Sequence, residues 1–267
     1  PRTIDAEPDA LLRGSLAHTT LHRFYAALPR ELDAERVTPE NLERALELVR
    51  RCLDEALGSG VRLDLTELQA AELRQTLRAD LEAFVRDEAA SQLAFVPRRL
   101  EVGFGSERAA PELQRGLPLE EGIFVSGKID RIDVDPFSAR GIVQDYKTGE
   151  AYSAQRIDSE ARLQIPLYVL ALRDLLGVEP LGGVYRGLSG RPTKRGLLRA
   201  SARADLPGFV SSDYLDEEAF WGQVEAARQR AVELARRIRA GDVRHDPRDG
   251  ECPSWCDLWP MCRVRRS

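Results

Sequence analysis

The run from Gly127 to Gly149 reads Gly-Lys-Ile-Asp-Arg-Ile-Asp-Val-Asp-Pro-Phe-Ser-Ala-Arg-Gly-Ile-Val-Gln-Asp-Tyr-Lys-Thr-Gly, and it restricts the fold more than any other part of the chain. Strand-forming Ile, Val and Tyr stand on either side of an Asp-Pro/Arg-Gly break, so the segment is a hairpin. Strand side chains alternate, which puts Asp145 and Lys147 on one face of the second strand. Opposed residues of an antiparallel pair have numbers with a constant sum, and a turn centred near 137–139 allows sums such as 275 or 277. Any odd sum sets Asp130 on the same face as Asp145 and Lys147. Directly opposed residues have Cβ atoms about 4.5–5.5 Å apart, close enough for two carboxylates to grip one hard cation. A lysine beside them can orient a water or neutralise charge developing on a phosphate.

The rest of the chain must bury this hairpin. With 267 residues, 43% hydrophobic and 31% charged, it can form a real core and is neither disordered nor fibrous in composition. No apolar run is long enough to span a membrane, and the N-terminus lacks the basic-then-apolar profile of a signal peptide, so a cytoplasmic setting is expected. Length alone suggests one to two domains, and the missing initiator Met suggests a piece cut from a larger protein. A net charge of −5 argues against a uniformly basic DNA-coating protein and leaves room for a local basic groove. Of 39 basic residues only Lys128, Lys147 and Lys194 are lysines, so a lysine at a chosen position carries more information than usual.

Along the chain, residues 10–28 place Ala17, Leu21, Phe24 and Leu28 on one helical stripe, and amphipathic stretches follow at 39–57 and 66–92. At Pro97 the pattern changes to strand-length runs at 98–104, 123–134, 142–147 and 182–188, with a helix at 159–176 before the last of them. A final helix at 216–240 stops at Gly241. The expected architecture is α/β, a small mixed sheet flanked by helices with a helical N-terminal region.

Gly-Lys-Ile-Asp-Arg-Ile-Asp followed by Asp-Tyr-Lys-Thr-Gly resembles the paired motifs of the PD-(D/E)XK nucleases, specifically the RecB and AddB type of nuclease domain. Arg-Gly-Ser-Leu-Ala-His at 13–18 resembles that family's Gly-x-x-x-His helix, Gln164 with Tyr168 its Gln-x-x-x-Tyr helix, and the cysteine tail the iron–sulfur staple of the AddB subset. The resemblance runs from residue 13 to 263. It implies a single nuclease domain with a helical part at 10–95, a catalytic sheet core at 96–210, and a C-terminal helix and staple at 211–267. It implies Asp130, Asp145 and Lys147 as catalytic residues, and His18, Asp130, Asp145 and the Tyr146 carbonyl as ligands of Mg²⁺ or Mn²⁺. The function implied is phosphodiester hydrolysis on single-stranded DNA ends by an exonuclease, within a helicase–nuclease of double-strand-break repair and recombination. The alternative is a nuclease-like module that binds DNA or a partner without cutting, against which the intact Asp130, Asp145 and Lys147 set argues.

Other residues are candidates of a second kind. Gln164 and Tyr168, at i and i+4, are placed to contact DNA near the metal, although Pro166 between them requires the helix to start late or kink. Glu101 reads as a solvent-facing strand glutamate with a lesser chance of joining the acidic site, and His22 as a surface residue. Arg186, Arg191, Lys194, Arg195, Arg199 and Arg203 form the densest positive stretch, expected to track a DNA backbone, with Arg191, Lys194 and Arg195 foremost.

Cys252, Cys256 and Cys262 have C-x₃-C-x₅-C spacing, and three thiolates so close suit a zinc ion or an iron–sulfur cluster, either of which needs a fourth ligand. The resemblance implies a [4Fe–4S] cluster whose fourth ligand lies upstream of this chain. Cys52 or His245 are the other choices, although Cys52 falls on the apolar stripe of its helix and reads as a buried free thiol.

Overall fold

A computed structural model describes residues 10–59, 65–91, 93–242 and 244. The expectations for His245, Cys252, Cys256 and Cys262 fall outside the described residues.

Three long helices come first: α1 (Ala10–Leu32), α2 (Leu42–Gly58) and α3 (Glu67–Ala90). On α1, Leu16, Ala17, Leu21, Phe24, Leu28 and Leu32 recur at helical spacing and are buried against Leu46, Val49, Leu53, Leu77, Leu81 and Phe84 of the other two. A capping box starts α3: the Gln69 N–H donates to Thr66 Oγ1 at 3.3 Å while the Thr66 N–H donates to Gln69 Oε1 at 3.0 Å. Cys52 lies in this helical core, 3% exposed, and burial pushes its thiol up to about 11.

The sheet follows, with strands β1 (Val96–Phe104), β4 (Gly127–Val134), β5 (Arg140–Lys147), β6 (Glu179–Gly187), β7 (Thr193–Arg199) and β8 (Tyr214–Leu215) in the spatial order β1-β4-β5-β6-β7-β8. A separate two-stranded ribbon joins β2 (Leu117–Glu120) to β3 (Ile123–Val125). The pair β5–β6 is parallel and needs a crossover, supplied by α4 (Ala154–Ser159) and α5 (Gln164–Asp174); β1–β4, β4–β5 and β6–β7 are antiparallel. Helix α6 (Glu217–Arg239) begins at Asp216, whose carboxylate accepts the Ala219 N–H at 2.8 Å.

β5 is buried on both faces from Gly141 to Tyr146. Against one face lie α1 to α3; against the other lies α5, whose Ile165 and Val169 share a core with Ile132, Val143 and Leu197. Gly183 permits this close seat, because a Cβ there would lie 2.6 Å from Val143 Cγ2 and 2.8 Å from Ile165 Cγ2.

Two expectations are corrected. The single strand at 123–134 is interrupted at Ser126, so that β3 leaves for the ribbon and only β4 joins the sheet. The helix at 159–176 is two helices, since α4 ends at Ser159 and α5 starts at Gln164. Pro166 then falls in the first turn of α5, where its missing N–H is not needed. The arginine-rich segment runs through the β6–β7 hairpin, with Arg191 in its turn and Lys194, Arg195 and Arg199 on β7.

Candidate metal and substrate site

β4 and β5 pair as Arg131 with Gln144, Ile132 with Val143, Asp133 with Ile142 and Val134 with Gly141, so opposed numbers add to 275 and the next pair outward is Asp130 with Asp145. There the ladder gives way to a side-chain contact: Asp130 Oδ2 accepts the Tyr146 N–H at 2.8 Å. His18 reaches the same point from α1. Its Nδ1 is 3.3 Å from Asp130 Oδ1, and its Nε2 is 3.1 Å from the Tyr146 carbonyl oxygen. Burial works to lower the imidazole's pKa, but hydrogen bonding to Asp130 and that carboxylate's charge outweigh it, with smaller help from the Tyr146 carbonyl and Asp145, and the net shift is upward.

Asp145 is buried. Its Oδ1 accepts a hydrogen bond from Gln164 Nε2 at 2.6 Å, and the Lys147 ammonium faces its Oδ2 at 2.7 Å as an ion pair. Among the described residues no second donor reaches Oδ2. Burial first, and then the Asp130 charge, push the Asp145 carboxyl up to about 6 against the opposing pull of Lys147. Lys147 Nζ also donates to Gln164 Oε1 at 2.9 Å and lies 5.4 Å from the centre of the Tyr185 ring.

Gln164 therefore spans the two residues of the Asp-x-Lys motif from the start of α5, and Tyr168, one turn on, donates to the Lys128 carbonyl at 2.8 Å. Helix α5 thus braces both strands of the hairpin.

On β1, Glu101 has φ +52, in the left-handed region that a non-glycine residue adopts only at a cost. The strand changes face there: Leu100 packs with the helical core and Val102, two residues on, with the core under α5. Ligand-type atoms of His18, Glu101 and Asp130 all lie within 4.8 Å of one another. Asp145 stands outside that trio, turned toward Lys147 and Gln164. A cleft of about 570 Å³ opens onto these groups, lined by His18, His22, Glu101, Lys128, Thr148 and the exposed start of α1.

The carboxylates of Glu101 and Asp130, a histidine and a backbone carbonyl, with the buried Asp145 carboxylate beside them, make a donor set that fits a divalent cation. A family model described as the PD-(D/E)XK nuclease superfamily matches residues 1–263. The chain belongs to that superfamily. The core of this nuclease-superfamily chain is accordingly a mixed sheet flanked by helices. It is also 35% identical over 127 residues, 43% of this chain and 10% of the other, to an ATP-dependent helicase/deoxyribonuclease subunit of Moorella thermoacetica. The chain thus spans about a tenth of that relative's length.

The positive stretch at 186–203 is largely neutralised. Arg186 is 2% exposed and pairs with Glu88 at 2.7 Å and Asp87 at 3.0 Å; it belongs to the interior, not to a surface patch. Arg195 pairs with the buried Asp213 at 2.7 Å, and Arg199 with Glu179 and Glu217, both at 2.8 Å. Arg191 is exposed in the β6–β7 turn, and the Lys194 ammonium lies 5.4 Å from the Phe209 ring centre. That turn is held beside the end of β5, since the Leu188 N–H donates to the Lys147 carbonyl at 2.8 Å.

Behind the site is a network that the sequence pattern does not announce. Arg131 is held by Asp133 at 2.6 Å and Glu88 at 2.8 Å, Tyr25 donates to Glu88 at 2.7 Å, and Arg186 donates to Gln144 at 2.9 Å. Burial acts to raise the Glu88 carboxyl, but Arg131, Arg186 and the Tyr25 hydroxyl outweigh it and hold it well below the usual carboxylate range. The available signal is the pair Arg131 and Asp133, which alternation places on the face opposite Asp130.

Proposed function

We propose that the chain is a divalent-metal-dependent deoxyribonuclease domain that cuts single-stranded DNA ends as part of a helicase–nuclease in double-strand-break repair and recombination. The observation that supports this most is the adjacency of two groups: His18 with Asp130, and the buried Asp145 with Lys147, whose ammonium is the one cation at Asp145 Oδ2 among the described residues. The relative's name, a helicase/deoxyribonuclease subunit, supports DNA as substrate and a helicase as partner. Cytoplasmic action accords with the finding that no described helix is long and apolar enough to cross a membrane.

His18, Asp130, Asp145 and the Tyr146 carbonyl would hold Mg²⁺ or Mn²⁺. Such an ion polarises a phosphodiester and lowers the pKa of bound water. The chain's own residues supply the rest. Lys147, half-buried at the end of β5 beside Asp145, is proposed to orient the attacking water or offset charge growing on the phosphate as the new P–O bond forms and the old one breaks. Gln164 holds that ammonium and Asp145 in one register, and the hydrophobic packing of Ile165 and Val169 keeps α5, and so Gln164, in place. Arg191 and Lys194, on the turn and strand beside the end of β5, are proposed to guide the DNA backbone, and Arg195 less so because Asp213 already holds it. Cys252, Cys256 and Cys262 are proposed to carry a [4Fe–4S] cluster, and the burial of Cys52 in the helical core speaks against that thiol as its fourth ligand.

Incubating the protein with end-labelled single-stranded DNA and Mg²⁺ or Mn²⁺, with and without chelator, tests the proposal. Chelator-sensitive shortening of the DNA is expected, lost in Asp145→Ala. Cleavage that persists in chelator or in that variant would overturn the assignment.

A further inference from the structure

The cleft holds two residues to which neither the motif set nor the proposed mechanism gives a role. Glu101 is the only described non-glycine residue within a strand to have a left-handed φ. Such a conformation is unfavourable for a residue with a Cβ and persists where the surroundings impose it. Its effect is to aim a carboxylate, 20% exposed, at His18 and Asp130 from the cleft side. Lys128 is its partner. The register sets Lys128 against Gly103, two residues beyond Glu101, and its ammonium pairs with Glu101 Oε2. The Lys128 backbone is fixed by Tyr168, whereas its side chain is 59% exposed in the cleft. Water screens an ion pair so exposed, so the lysine leaves its partner at little cost.

Resting on the metal-dependent reading above, we propose that Glu101 is a further metal-holding residue and that Lys128 is a substrate-positioning residue parked on Glu101 until a divalent cation takes that carboxylate. The lysine is then released to a DNA phosphate at the cleft mouth. Cation and DNA thereby favour each other, because one carboxylate answers to both positive groups and only the cation frees the lysine for DNA. In a chain with only three lysines, Lys128 lines the cleft and Lys147 sits on Asp145 behind it, with separate roles, one on the backbone of the substrate and one at the reacting phosphate.

The test uses the full chain and readouts other than cleavage. Mn²⁺ binding without DNA is measured by titration calorimetry for wild type, Glu101→Gln, Glu101→Gly, Lys128→Gln and Asp145→Ala. Binding of a labelled single-stranded oligonucleotide is measured in chelator over a range of salt. Glu101→Gln should weaken Mn²⁺ at least about fivefold and tighten chelator-state DNA binding, because Lys128 is freed. Lys128→Gln should leave Mn²⁺ affinity equal or higher, weaken DNA binding in the Glu101→Gln background, and there reduce the salt slope by about one. Effects on DNA in the double variant should be non-additive. Glu101→Gly removes the backbone cost and should melt above wild type while binding Mn²⁺ as weakly as Glu101→Gln, which rules out misfolding as the cause. Mn²⁺ affinity unchanged in both Glu101 variants, or a salt slope unmoved by Lys128→Gln, would overturn the inference. If Asp145→Ala still loses Mn²⁺ in that case, only the roles of Glu101 and Lys128 fail. If Asp145→Ala binds Mn²⁺ like wild type, the metal-dependent reading itself fails.

Discussion

β4 and β5 present two charged faces built from alternate residues of the same strands, and the two are finished differently. On the helical side, Arg131, Asp133 and Gln144 meet Arg186 and Glu88 so that each buried carboxylate faces a guanidinium. On the cleft side, Asp130 meets Glu101 and His18, its charge also acts on the neighbouring Asp145, and Lys147 is the only lysine or arginine paired with either aspartate among the described residues. One residue's offset along a strand separates a charge cluster that is complete within the chain from one that a cation would complete. Asp130 and Asp145 are as buried as Asp133 and Glu88, so the difference lies in which partners the fold supplies.

The largest contrast is in activity. Asp145→Ala should reduce DNA cleavage by at least about 10³-fold, since losing a metal-holding carboxylate removes several kcal/mol of transition-state stabilisation. The fold should survive, as read by far-ultraviolet circular dichroism. Glu88→Ala should do the reverse. It leaves Arg131 and Arg186 buried with too little negative charge, a loss of about 3–5 kcal/mol in denaturant unfolding, while the remaining folded molecules keep their cleavage rate.

Acid separates the faces by sign. The Glu88 carboxyl is held below its unfolded value, so its contribution is present above about pH 4.5 and lost as pH falls toward its folded value. The Asp145 carboxyl is raised to about 6, so without metal its protonated form favours the fold at low pH, and that advantage disappears as pH rises from about 4 to 6. Above that window the ionised Asp145 costs the metal-free fold about 3 kcal/mol. Metal-free unfolding measured from pH 4 to 8 should therefore show a falling component that Asp145→Asn abolishes and Glu88→Gln does not.

A smaller effect distinguishes bracing from DNA contact at Gln164. Gln164→Leu should lower the cleavage rate constant by about 10-fold through a loosened Lys147, with DNA affinity nearly unchanged. A loss confined to DNA affinity would instead return Gln164 to a substrate-contacting role.

The hairpin, its register and the N-terminal helices are legible in the sequence because they rest on local periodicity and turn chemistry. Asp130 meets Asp145 because alternation is a property of the strand itself. Arg186 and Arg195 read as surface charges, yet Glu88 is 98 residues from Glu88's partner Arg186 and Asp213 is 18 from Arg195, and pairing at such separations is set by packing rather than by pattern. Regular alternation makes Glu101 solvent-facing, whereas a left-handed φ at that residue changes the face of the strand. The break at Ser126 is hidden by strand-forming residues on both sides of it.

The central claim, that the cleft face is a charge cluster awaiting a divalent cation, is tested most directly by thermal unfolding of wild type and Asp145→Asn at pH 8 with and without Mn²⁺. Wild type should gain stability with Mn²⁺, whereas Asp145→Asn should begin at or above the metal-free wild type and gain almost nothing. An Asp145→Asn protein that is less stable than metal-free wild type yet still responds fully to Mn²⁺ would contradict the claim.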